Sequence, residues 1–110
     1  MGKKKKLKIA LDFDETYTED RLLWDYFVES CQKRNHTVTF VTYRDSRFDN
    51  TDIEVAAEKL GIQIVFTAGK QKKHCFDANI WIDDSPETIV DFKTLGNMYD
   101  GCLINGDCNE

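Results

Sequence analysis

Short apolar runs alternate with amphipathic segments along this chain. The first run, from about Leu7 to Asp12, reads as a buried strand, and Glu19 to Arg34 reads as a helix with Leu23, Phe27 and Cys31 on one face and Trp24 and Val28 beside them. Thr37 to Thr42 is a second strand. Thr51 and Glu54 form a capping box ahead of Ile53, Ala56, Ala57 and Leu60, with Gly61 placed to stop that helix. Ile62 to Thr67 is a third strand, Lys70 to Phe76 a short helix, and Ala78 to Asp83 a fourth strand. Ser85 as cap and Pro86 at the first helical position open a last helix reaching about Leu95, with Gly96 behind it. The segment 97–110 is weakly patterned, and Cys102-Leu103-Ile104 offers a short edge strand. This β/α alternation predicts one α/β domain over 1–110, Rossmann-like, with a central parallel sheet of four to five strands flanked by helices.

Length and composition fit that reading. A chain of 110 residues with 41% hydrophobic content supports one core. The net charge is −5, and the densest positive run is Lys3-Lys4-Lys5-Lys6, read as a solvated N-terminal tail over 1–6. No apolar stretch reaches the length of a membrane span, and Asp12 and Asp14 interrupt the one candidate for a secretory segment, so the expectation is a cytoplasmic protein. Cys31, Cys75, Cys102 and Cys108 show no C-x-x-C spacing, which leaves structural thiols, with Cys31 in the core. His36 and His74 have no partner at useful spacing and are read as structural.

Charge at the ends of apolar strands is what points to chemistry. Asp12 and Asp14, one residue apart at the end of the first strand, face the same way, and a second pair, Asp83-Asp84, ends the fourth. With a metal between them such carboxylates grip a phosphate. If the strands are parallel, all their carboxyl ends lie on one edge of the sheet, the edge at which open α/β sheets bind ligands. Asp12, Asp14, Thr42, one of Lys70, Lys72 and Lys73, and Asp83-Asp84 then meet in one pocket.

This order, D-x-D-x-T, then Thr after a strand, then Lys, then D-D, resembles the motif order of the haloacid dehalogenase superfamily of phosphotransferases over Leu7 to about Ile89. Locally, Glu15-Thr16 and Ile82-Asp83-Asp84-Ser85-Pro86 resemble elements of the RNA polymerase C-terminal-domain phosphatases, and the paired aspartates resemble those of deoxynucleotidases and polynucleotide 3′-phosphatases. The resemblance implies a magnesium-dependent phosphomonoester hydrolase in which Asp12 forms an aspartyl-phosphate. Asp14 is then the general acid for the leaving alcohol and afterwards the base for water, and its backbone carbonyl binds Mg2+. Backbone N–H groups after Asp12, from Phe13 and Asp14, form an anion-binding nest, and Thr42 and Lys72 hold the phosphate, with Lys70 as the second choice of lysine. Asp84 is favoured as the direct metal ligand and Asp83 as its support. Two positions depart from the family pattern: Glu15 stands where a small residue is common, and Tyr17 where an aliphatic one is usual.

The segments between Asp14 and Thr42, and between Thr42 and Lys70, have no room for a cap domain once their helices are placed, so an open pocket is expected. An open pocket suits a macromolecular phosphoester or closure by a second subunit, and a homo-oligomer is one such case. A polynucleotide-end or protein phosphatase is therefore the first alternative, with nucleic acid reached through the N-terminal lysines, and a catalytically weak phosphate- or partner-binding module is the second. A response-regulator receiver fits less well, because its phosphorylated aspartate belongs where this chain has Thr67. No G-x-G-x-x-G follows the first strand, which leaves dinucleotide binding unsupported.

Overall fold

The computed structural model describes residues 5–90. Strands β1 (Lys8–Leu11), β2 (Thr37–Thr42), β3 (Gln63–Phe66) and β4 (Ile80–Ile82) form a four-stranded sheet in the order β3-β2-β1-β4, parallel throughout. Helices α1 (Arg21–Lys33), α2 (Thr51–Leu60) and the single-turn α3 (Lys72–Cys75) occupy the crossovers, and 3-10 turns lie at Tyr17–Glu19 and Pro86–Thr88. The protein is thus an α/β fold with an all-parallel sheet flanked by helices. Among the described residues no helix is long and apolar enough to cross a membrane. The expected end of the last helix at Leu95, the tail 97–110 with Cys102 and Cys108, and Lys3 and Lys4 lie outside the described residues.

One face of the sheet carries the main core. Ile9 and Leu11 of β1 and Val38 and Phe40 of β2, each two residues apart and therefore on one face, pack with Val28 and Cys31 of α1 and Ile53, Ala56 and Ala57 of α2. Burial raises the Cys31 thiol above its usual range. Ala10 and Val41 on the opposite face are also buried, so β1 and β2 are covered on both sides, as in the middle of a parallel sheet.

Three sequence expectations change here. Leu23 is exposed, and the buried stripe of α1 runs through Val28 and Cys31 with Trp24 and Phe27 half-buried. Spacings of four residues drift around a helix of 3.6 residues per turn, so a Leu23-Phe27-Cys31 line leaves the core face that Trp24, Val28 and Cys31 hold. The capping box at Thr51 does not form. Asn50 is the cap residue, Thr51 is already helical, and Asp49 Oδ1 accepts from both the Thr51 N–H (3.0 Å) and its hydroxyl (2.6 Å). Ser85 likewise caps no helix through its side chain, and the described part of the segment after Pro86 is a 3-10 turn. Gly61 does end α2, at φ +70°, the left-handed position that glycine fills without cost.

Candidate active site

Parallel pairing carries Asp12 and Asp83 to the same edge. The Asp12 N–H donates to the Ile82 carbonyl at 2.9 Å, so β1 and β4 remain joined up to the residues where their carboxylates begin. Between those carboxylates sits Lys72, presented by α3 and 1% exposed. Its Nζ donates to Asp12 Oδ1 at 2.9 Å and Asp83 Oδ2 at 2.5 Å. Three charges are thereby buried together, a costly arrangement that persists only when each has its partner. Burial pushes the Asp12 carboxyl up to about 6, Lys72 pulls it down, and Asp83 adds to the rise.

Thr16 ties the second acid to the first. Its hydroxyl lies 3.1 Å from Asp12 Oδ2 and 3.2 Å from Asp84 Oδ1, sharing one proton between them, and its oxygen accepts from the Asp84 N–H at 3.2 Å. Asp83 is differently employed: one oxygen takes Lys72 and the other the Ser85 N–H at 2.9 Å. Asp12, Asp83 and Asp84 each offer an oxygen within 4.8 Å of the others, a hard-donor set suited to magnesium or calcium. They line a cleft of about 160 Å3 together with Asp14, Glu15 and Lys72. Of the three candidate lysines, only Lys72 lines it; Lys70 is exposed, and Lys73 reaches toward Asp77 at 3.7 Å.

The loop after Asp12 turns back on itself. Tyr17 N–H donates to the Asp12 carbonyl (3.3 Å) and Thr18 N–H to the Phe13 carbonyl (3.1 Å), while Glu15, at φ +62°, takes a left-handed conformation unusual for a residue with a side chain. Among the described residues the N–H groups of Phe13 and Asp14 meet no acceptor, as an anion-binding loop requires. The Phe13 ring is fully buried, stacked on Tyr17 and edge-on to Phe40, and so anchors the loop in the core. Tyr17, also fully buried, donates its hydroxyl to Asp25 Oδ1 at 2.6 Å, while Lys59 Nζ donates to Asp25 Oδ2 at 2.9 Å; an aliphatic residue there would remove the first of these bonds.

Asp14 does not join the acidic cluster through its side chain. Arg44 holds it in a two-pronged bond, Nε to Oδ2 at 3.0 Å and Nη2 to Oδ1 at 2.7 Å, and grips Asp52 on its other side at 2.6 and 2.9 Å. The bonds to Asp52 and then Asp14 raise the Arg44 pKa above the ordinary guanidinium range. The guanidinium also lies over the Phe13 ring, 5.2 Å from its centroid. Sequence reasoning missed Arg44; its one signal was its place two residues beyond Thr42, on the same sheet edge. Thr42 itself is buried at the end of β2, its Oγ1 accepting from the Arg44 N–H at 3.2 Å, and it does not line the small cleft. A wider hollow of about 710 Å3 lies on the far side of Arg44, beside Asp45, Phe48 and Asn50, away from Asp12.

Fold and site together define an α/β protein whose parallel sheet gathers aspartates and a buried lysine at its carboxyl edge. No family model, curated protein or solved structure matches the chain.

Proposed function

We propose that this chain is a capless, magnesium-dependent phosphatase of the haloacid dehalogenase type, acting through an aspartyl-phosphate on Asp12. The observation that carries the proposal is the buried Lys72, bonded at once to Asp12 and Asp83 inside the cleft shared with Asp84. A merely structural ion pair has no need of a second carboxylate and a third one within metal-binding reach. The donor set fits magnesium: all oxygen, anionic, and able to leave positions for phosphate and water.

Asp12 and Asp84 would hold the ion, with the Asp14 carbonyl as the resemblance implies. Asp83, whose two oxygens are already engaged by Lys72 and Ser85, would orient Lys72 from outside. When bound, magnesium supplies the positive charge that lets a carboxylate approach a dianionic phosphoryl group. Lys72 balances the nucleophile and the transferred group from the other side. The free N–H groups of Phe13 and Asp14 receive phosphoryl oxygens, and the Thr42 hydroxyl retains its proton for a further bond.

A phosphatase screen with aryl and acyl phosphates, nucleotides, sugar phosphates, end-phosphorylated oligonucleotides and phosphopeptides tests the proposal. Turnover should require magnesium and be abolished by Asp12→Asn. Turnover surviving excess chelator, or undiminished in Asp12→Asn, refutes it. Tight phosphate binding without turnover of any substrate would point instead to a binding module.

A further inference from the structure

Resting on that phosphatase reading, we infer that the substrate is a phosphorylated polypeptide, and that the hollow beside Phe48 receives an arginine or lysine side chain flanking the phosphorylated residue. Size carries the first step. The cleft at Asp12 measures about 160 Å3, well under the roughly 300–1,000 Å3 of sites that enclose a whole small molecule, whereas the hollow, at about 710 Å3, lies within that range. One ion pair divides them: Asp14 lines the cleft, Arg44 lines the hollow, and the two are joined at 2.7 Å. A phosphoryl group in the cleft therefore leaves the rest of its substrate outside, with the hollow as the next concave surface along this edge.

The hollow presents a ring and a carboxylate. Phe48 is 72% exposed, yet the turn that carries it is fixed. The Phe48 N–H donates to the Asp45 carbonyl at 3.3 Å, and the buried Asn50 donates its Nδ2 to the carbonyls of both Asp45 (3.0 Å) and Phe48 (2.9 Å). Asn50 Oδ1 accepts from Arg44 Nη1 at 3.5 Å, which ties the turn to the guanidinium that holds Asp14. A large apolar ring held in water on a pinned turn has an open face for a cation. Beside it, Asp49 Oδ1 takes the N–H and hydroxyl of Thr51, while its second oxygen meets no donor among the described residues. Asp45 and Asp52 instead give both oxygens to Arg47 and Arg44. An aromatic face next to an open carboxylate oxygen suits a guanidinium or an ammonium.

Charge separates a polypeptide from a polynucleotide, whose bases would also stack on such a ring. A nucleic acid needs a basic footprint to offset its phosphates. Here the loops after β1 and β4, over 12–20 and 83–90, carry acids and no lysine or arginine, and the loop from Tyr43 to Asp52 carries more acids than bases. Lys5 and Lys6 precede β1 and so enter the sheet at its amino edge, the opposite one. Of the lysines after β3, Lys72 is spent on Asp12 and Asp83, and Lys73 turns to Asp77. A chain with basic side chains around its phosphate meets attraction at this edge, and a polyanion meets repulsion.

The test measures kcat/KM of the full chain with magnesium for phosphoserine and phosphotyrosine peptides in which arginine, alanine or glutamate occupies each flanking position in turn. Ethanolamine phosphate, end-phosphorylated oligonucleotides and p-nitrophenyl phosphate are run alongside. At one flanking position or more, arginine should exceed alanine by about tenfold, the size of one cation–π contact joined to one exposed ion pair. Glutamate should fall below alanine there. Phe48→Leu, which keeps apolar bulk and removes the ring face from a side chain mostly in solvent, should cut the arginine-to-alanine ratio by about threefold or more. Asp49→Asn should cut it as well, and circular dichroism shows that each variant is folded. Arginine and alanine peptides within about twofold of each other at every position, or a ratio unmoved in folded Phe48→Leu, overturns the inference while leaving the phosphatase reading intact. So does an oligonucleotide or free ethanolamine phosphate turned over faster than the best peptide. No turnover of any substrate by the native protein, p-nitrophenyl phosphate included, overturns the phosphatase reading and the inference with it.

Discussion

Replacing Lys72 with Met tests the centre of the site most directly. Methionine retains the length and apolar stem of lysine, so the change removes charge and little volume. It leaves Asp12 and Asp83 buried and facing each other without their common partner. Breaking a buried pair costs about 3–5 kcal/mol, against a total of about 5–15 kcal/mol for a domain of this size. The loss must also depend on pH. The folded Asp12 already has its carboxyl raised from 3.8 to about 6, and Lys72 is what pulls it down. The folded state therefore holds a proton that the unfolded chain gives up between those values, so stability falls as pH rises through that interval and stays low above it. Without Lys72 the interval extends upward. Urea unfolding without divalent cations should show Lys72→Met destabilised by about 3–5 kcal/mol at pH 7 and by clearly less at pH 5. Magnesium at pH 7 should restore part of the loss. A loss below about 1 kcal/mol, or one equal at the two pH values, would mean that the charges are not confined as the distances imply.

The two neighbouring aspartates should separate in their effects: Asp84→Asn should weaken magnesium-dependent stabilisation, read as the shift in melting temperature, more than Asp83→Asn. Asp83→Asn should destabilise the metal-free protein more, because it strips Lys72 of a bond. Tyr17→Phe removes the 2.6 Å bond to Asp25 from a buried ring and should cost about 1–2 kcal/mol in chemical denaturation. Gly61→Ala meets no atom within 4 Å yet must keep a φ of +70°, so it should cost about 1–2 kcal/mol through the backbone alone; a neutral result would show that α2 can end differently.

Asp12 and Asp83-Asp84 were legible in the sequence because a charge directly after an apolar strand has few structural uses, and parallel topology then fixes the edge on which it falls. The lysine was legible only as a group of three, since residue spacing does not say which side chain a one-turn helix turns inward. Arg44 was invisible for a related reason. Arginines in loops are ordinarily solvated, and its two partners lie 30 and 8 residues away, so nothing local marks the fork that joins them. The cap of α2 failed through competition: Asp49 takes the Thr51 hydroxyl that the capping box would have used. At Ser85 the backbone N–H turns to Asp83, so that residue serves the site and not a helix.

The position of β4 bears on the order in which the molecule comes together. It has three residues, among the described residues it pairs only with β1, and the two aspartates that complete the cleft follow it directly. Asp12, Arg44 and Lys72 all precede β4 in the sequence, so Lys72 gains its bond to Asp83 only once that strand has paired with β1. An edge of this kind is where native-state opening begins. Amide exchange at Ile80–Ile82 should therefore be the fastest in the sheet and, on the proposed reading, should slow with magnesium, because Asp84 beside this strand would hold the ion. The strand with the fewest residues in the sheet is thus the one that brings Lys72 its second carboxylate.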